Sequence, residues 1–133
     1  MKEVLIERAI QIREKAYTPY SKFKVGAALL TEDDEIFVGC NIENASYPVG
    51  CCAERVAIFN AISAGKRNFK AMAVVANTDD PVSPCGSCRQ VMSEFFSNSM
   101  PIYLSNINKD VLETNIEQLL PGSFQPSHLT EGK

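Results

Sequence analysis

The chain has no stretch of about 20 uncharged apolar residues, the length a helix needs to cross a bilayer, so no membrane span is expected. It has no basic excess either. Thirteen Lys and Arg stand against 16 Asp and Glu, for a net charge of -3, whereas a polynucleotide binder presents a basic face. The basic cluster Lys66-Arg67-Asn68-Phe69-Lys70 is short and reads as a solvated loop. No internal repeat or low-complexity linker appears, so 1–133 reads as one domain with a polar, mobile tail over about 125–133. The N-terminal residues interrupt their apolar positions with charge and offer no secretory h-region. A cytoplasmic, reducing location is expected. The single histidine, His128, falls in the polar tail and reads as a surface residue. A small neutral substrate fits this balance better than a long polyanion.

What the chain does have is periodicity and cysteine. Val4, Leu5, Ala9, Ile12 and Ala16 recur at helical spacing, which predicts a helix over 2–16. Strands are predicted from Phe23 to Leu30 and from Ile36 to Asn41, joined by the acidic turn Glu32-Asp33-Asp34-Glu35. A loop over Glu43 to Gly50 leads to a helix from Cys52 to Ala64, which Gly65 stops. Ala71 to Ala76 reads as a central strand, Asn77 to Pro84 as a loop, and Gly86 to about Phe96 as a helix. Pro101 to Leu104 is strand-like, and a last helical stretch, Ile116 to Leu120, breaks at Pro121-Gly122. The order predicts an α/β fold: a mixed sheet with helices on both faces.

Five cysteines, an odd number including a Cys-x-x-Cys, point in a reducing compartment to metal or redox use over disulfides. Cys52-Ala53-Glu54 and Pro84-Cys85-Gly86-Ser87-Cys88 both fall where a loop gives way to a helix start. There the helix dipole and free backbone N–H groups favour thiolates. Cys52, Cys85 and Cys88 supply three ligands for one zinc ion. Four ligands would close the site and make it structural, whereas three leave a position for water. A fourth would come from Cys40, Cys51 or His128. Cys51 adjoins Cys52, Cys40 sits in a predicted strand as a small hydrophobe, and His128 lies in the tail, so an open site is the stronger reading. Glu54 by itself is an ordinary helix-start acid; beside an open metal position it becomes a proton shuttle. Arg55 is placed to donate to thiolate sulfur and offset the charge of three thiolates. A thioredoxin-like redox pair would leave Cys52-Ala53-Glu54 without a purpose.

Cys52-Ala53-Glu54-Arg55 together with Pro84-Cys85-Gly86-Ser87-Cys88-Arg89-Gln90 resembles the zinc-dependent nucleoside deaminases, with cysteine where the commoner pattern has histidine. That departure matches the small three-cysteine branch, the homotetrameric cytidine deaminases. The resemblance extends from Tyr17-Thr18-Pro19-Tyr20-Ser21 through Glu117-Gln118-Leu119-Leu120-Pro121. It implies a cytidine-deaminase-like three-layer α/β/α sandwich with a mixed five-stranded sheet, one Zn²⁺ per subunit and a homotetramer with active sites at subunit interfaces. The implied reaction is hydrolytic deamination of cytidine and 2′-deoxycytidine, a step of pyrimidine salvage. Asn41 and Glu43, two apart at a strand end, match residues that hold the ribose, chiefly its 3′-hydroxyl. Phe23 matches an aromatic beside the pyrimidine, and the backbone amides of Ala53 and Cys85 are placed to polarise its edge. Phe124 matches a residue that reaches a neighbouring subunit's base, and Tyr47 an interface residue near a shared site. A blasticidin-type deaminase shares the zinc and glutamate motifs, but Asn41 and Glu43 favour a nucleoside. A polynucleotide cytosine deaminase is opposed by the acidic balance, and a non-enzymatic zinc module would need closed coordination.

Overall fold

The computed structural model describes residues 1–129. Its elements in chain order are α1 (Lys2–Arg13), β1 (Val25–Thr31), β2 (Ile36–Cys40), α2 (Ala53–Ser63), β3 (Phe69–Ala76), α3 (Gly86–Phe95), β4 (Ile102–Asn106), β5 (Val111–Thr114) and α4 (Ile116–Leu119). The strands form one sheet in the order β2-β1-β3-β4-β5. β1 pairs antiparallel with both β2 and β3, β3 runs parallel to β4, and β4 pairs antiparallel with β5. The sheet is therefore mixed and five-stranded, as the resemblance implies.

Successive side chains of a strand face opposite ways, and β1 and β3 are apolar on both sides. Ala28 and Leu30 of β1 and Ala71, Ala73 and Val75 of β3 pack against Leu5, Ile6 and Ala9 of α1. Ala27, Leu29, Met72 and Val74 face the other way, onto Ala57, Ile58 and Ala61 of α2 and Met92 of α3. Helices thus cover both faces and make three layers. Strands buried on both sides read as continuous apolar runs, which is why β1 and β3 were visible in sequence.

The boundaries differ where side chains replace ladder bonds. The first helix ends at Arg13, short of the expected residue 16, because Glu14, Lys15 and Ala16 turn onto the carbonyls of Gln11, Ile12 and Arg13. β1 begins at Val25, two residues after Phe23. The Asn41 carboxamide takes the place of a strand there, donating to the Phe23 carbonyl at 2.8 Å and accepting from the Val25 N–H at 2.9 Å. β5 is absent from the element-by-element reading: it has four residues, three of them exposed, and carries no alternation. α2 ends as expected before Gly65, whose φ of +91° closes the turn, with the Lys66 N–H donating to the Ala61 carbonyl. Of the tail expected over 125–133, Pro126–Leu129 form a 3-10 turn, and 130–133 lie outside the described residues.

Candidate active site

Cys52 and Cys85 are the residues immediately before α2 and α3, both in extended conformation, with φ/ψ of -72°/154° and -67°/166°. Their side chains therefore sit at the N-terminal ends of two helices that start side by side. Cys88, one turn into α3, is fully buried. The three sulfurs converge: Cys52 Sγ to Cys85 Sγ is 3.8 Å, Cys85 Sγ to Cys88 Sγ is 3.4 Å, and all lie within 4.8 Å of one another. Among the described residues no fourth His, Cys, Asp or Glu joins them. Cys40 sits in β2. Cys51 is held away by its backbone, which exchanges N–H···O bonds with Ile42 at 2.9 Å each way. His128 is in the last turn, its Nδ1 accepting from the Gln125 N–H. Burial raises both the Cys40 and Cys51 thiols above their ordinary value.

Arg55 lies one turn into α2, and its Nη2 donates to Cys52 Sγ at 3.5 Å. Its Nε is buried with no hydrogen-bond partner among the described residues. The hydrogen bond from the Cys88 thiol, joined by those from Arg55 and Cys85, lowers Cys52 to about 5. The same bond, together with burial, pushes Cys88 up. Glu54 is 5% exposed. Burial raises its carboxyl to about 7; its own backbone N–H opposes the shift and the Cys52 charge adds to it. A carboxyl poised near neutrality can both take and give a proton.

A cavity of about 300 Å³ opens onto these groups, and Phe23, Asn41, Glu43, Ala53, Glu54 and Cys85 stand in its wall. Glu54, Cys52, Cys85, Phe23, Asn41 and Glu43 thus share one space, whereas Cys88 is fully buried and Arg55 stands in the wall of an adjoining hollow. Tyr47 and Phe124 do not share the cavity. Tyr47 is 72% exposed and lines the adjoining hollow, of about 390 Å³, with Tyr20, whose ring lies 6.0 Å away. Phe124 lines neither hollow; it is exposed, rests against His128 with ring centres 5.6 Å apart, and its carbonyl accepts from Gln90 Nε2.

Arg89 had no assigned role in the sequence, yet its Nε donates to the Pro84 carbonyl and its Nη1 to that of Leu119, both at 2.8 Å. It thereby fixes the turn that aims Cys85. Its adjacency to Cys88 was the available signal. Ser21, which the sequence offers only as the end of Tyr17-Thr18-Pro19-Tyr20-Ser21, donates its hydroxyl to Glu43. That contact joins segments 22 residues apart and leaves no local pattern.

Residues 1–104 match the family model for the cytidine and deoxycytidylate deaminase zinc-binding region. The chain belongs to this family. It is 57% identical over 128 residues to the cytidine deaminase of Sporosarcina psychrophila, covering 96% of this chain and 94% of that one. To the cytidine deaminase of Halalkalibacterium halodurans it is 50% identical over 130 residues, 98% of either chain. The crystal structure of cytidine deaminase from Burkholderia pseudomallei superposes with a TM-score of 0.91 at 52% identity, covering 93% of this chain and 99% of that one. As a member of a zinc-binding deaminase family, the chain presents a donor set that fits the ion. With Zn–S near 2.3 Å, tetrahedral geometry separates sulfurs by about 3.8 Å, close to the 3.4 and 3.8 Å found. Cys52, Cys85 and Cys88 form a cluster able to hold zinc.

Proposed function

We propose that this chain hydrolyses the exocyclic amine of cytidine and 2′-deoxycytidine, leaving the uridine and ammonia. The observation that carries the reading is Glu54: a buried carboxyl in the wall of one cavity with convergent thiols and with Asn41 and Glu43. Zinc, when held by Cys52, Cys85 and Cys88, supplies the Lewis acidity that makes water nucleophilic near neutral pH. Glu54 takes the proton that the attacking water loses and delivers it to the ring N3. It then takes the proton left on the hydroxyl added at C4 and gives it to the amine N4, so that ammonia departs as the C4 carbonyl forms. The Ala53 and Cys85 N–H groups, at helix starts, polarise the edge of the pyrimidine. Phe23 lies along the ring, and Asn41 and Glu43 hold the sugar. Arg55, donating to Cys52, offsets the thiolate charge around the ion.

The family model covers nucleosides and nucleotides alike. The cavity favours the nucleoside: its lining includes the carboxyl groups of Glu43 and Glu54 and no Lys or Arg among the described residues. A 5′-phosphate set against either carboxylate would meet like charge.

Tyr47 and Phe124, exposed outside the cavity, are assigned to contacts with neighbouring subunits in a homotetramer whose active sites lie at the interfaces. An exposed patch of Tyr17, Tyr20, Ile42, Tyr47 and Val49 beside the cavity supports association. No helix among the described residues is long and apolar enough to cross a membrane. Free thiols at the metal cluster and at Cys40 and Cys51 suit the reducing cytoplasm. The chain acts as one domain in pyrimidine salvage.

An ultraviolet assay of zinc-loaded protein with cytidine, run beside Glu54→Ala, tests the reading. The wild type should convert the cytidine spectrum to that of uridine, and the variant should retain zinc while losing about 10²–10⁴-fold in turnover. Substantial turnover by the variant would remove the shuttle role; an inactive wild type would point to another amine substrate.

A further inference from the structure

Ser21 stands where the substrate cavity meets the adjoining hollow, and its hydroxyl joins two residues that reach the cavity from different segments. It donates to Glu43 Oε2 and accepts from the Phe23 backbone N–H, the latter at 3.0 Å. Glu43 Oε1 accepts from the backbone N–H groups of Tyr20 at 3.0 Å and Ser21 at 3.1 Å. A carboxylate oxygen offers about two lone-pair directions. Both on Oε1 are therefore used, and one on Oε2. A single acceptor direction remains.

Asn41 is held in the same way. Its Oδ1 accepts from Val25 N–H and its Nδ2 donates to the Phe23 carbonyl, which leaves one amide N–H to give. Glu43 and Asn41 together then present one acceptor and one donor, the complement of a single hydroxyl.

We propose that Ser21 is a positioning residue for sugar recognition: it fixes the one free lobe of Glu43 and couples it to Phe23, and so sets how tightly Glu43 and Asn41 hold the one sugar hydroxyl they meet, which the resemblance above gives as the 3′-hydroxyl. The proposal rests on the deaminase reading above. Without the Ser21 hydroxyl, the Oε2 side of the carboxylate is released toward Lys22, whose charge already acts on it. The Ser21 hydrogen bond is the largest influence holding the Glu43 carboxyl below its usual range, so its loss also loosens the charge the hydroxyl must meet.

Steady-state kinetics on zinc-loaded wild type, Ser21→Ala and Ser21→Thr test this, with cytidine as substrate and 3′-deoxycytidine as competing inhibitor. Ser21→Ala should raise KM for cytidine about tenfold, the size of one lost hydrogen bond to a charged group, with kcat little changed. The inhibition constant of 3′-deoxycytidine should move less than about twofold, and Ser21→Thr should restore the wild-type KM. An equal rise for both nucleosides, or a fall in kcat alone, would mark a merely structural residue and overturn the proposal. No change in Ser21→Ala would overturn it as well. A wild type that turns over no cytidine would instead overturn the activity on which the proposal rests, so the two failures are told apart by the wild-type arm.

Discussion

On one face of the sheet, α1 crosses β1 so closely that a Cβ at Gly26 would stand 2.0 Å from the Ala9 carbonyl oxygen. On the other face, α2 crosses β2, and a Cβ at Gly39 would stand 2.4 Å from the Ala57 nitrogen and 2.7 Å from the Ala53 oxygen. Both helices are seated backbone to backbone through a glycine, on alanine-rich surfaces. Yet α1 carries no site residue, while α2 begins at the thiol cluster. The difference lies in what stands beside each helix start. α2 has α3 as its neighbour on the same face, and the two begin together, so two helix N-termini and three thiols meet. Among the described residues α1 covers its face alone. The same packing device therefore builds core on one side and a site on the other, and only on the second does a small displacement reach the chemistry.

Gly39→Ala should break this contrast most severely. The added methyl meets backbone that has no other place to go, which costs about 1–3 kcal/mol or more of stability. It also shifts the start of α2, and with it Cys52 relative to Cys85 and Cys88. Zinc content and turnover should fall together, beyond what the loss in melting temperature explains. Full zinc occupancy at wild-type kcat would show that the seating of α2 does not set the site.

Gly26→Ala sharpens the contrast from the other side. Its clash is at least as tight, so the melting temperature should drop by a comparable amount. The folded fraction should keep zinc at one per chain and its kcat within about twofold of wild type, because α1 does not touch the thiols. Loss of zinc in the fraction that stays folded would mean that the two faces are coupled through the sheet.

The smallest effect is expected at the β1–β2 turn, remote from both helix starts. The Asp33 carboxylate accepts from Lys66 Nζ at 2.8 Å and Thr31 Oγ1 at 2.5 Å, and these bonds, Lys66 first, lower it from 3.8 to about 2. A carboxyl depressed in the folded state contributes stability above its unfolded value and loses it as pH falls through the folded one. The melting-temperature gap between wild type and Asp33→Asn should thus be fully present above about pH 4 and close toward about pH 2. It should be small, since the Asp33 carboxylate is exposed to solvent. A gap that is constant with pH would show that the carboxylate charge is not what stabilises the turn.

How far the sequence could be read follows the same division. β1 and β3 were legible as continuous apolar runs because both of their faces are buried, and the end of α2 could be read from Gly65 because its backbone angle requires glycine. The thiol ligands were legible because metal chemistry limits the residue types and both cysteine motifs sit at helix starts. β5 was not, because an edge strand of four mostly exposed residues owes its existence to β4 and has no pattern of its own. Nor was the start of β1, where the Asn41 carboxamide stands in for a neighbouring strand.

From its own residues, then, the chain determined the layers, the ligand set and the identity of the acid beside them, since these follow from local periodicity and from the chemistry of particular side chains. Tertiary structure alone decided the rest. It brought Cys52 to Cys85 across 33 residues, buried Glu54 enough to hold its carboxyl near 7, and tied Glu43 to Ser21 across 22. Those properties depend on distances through space and on exclusion of water, and neither is encoded in any single stretch of chain.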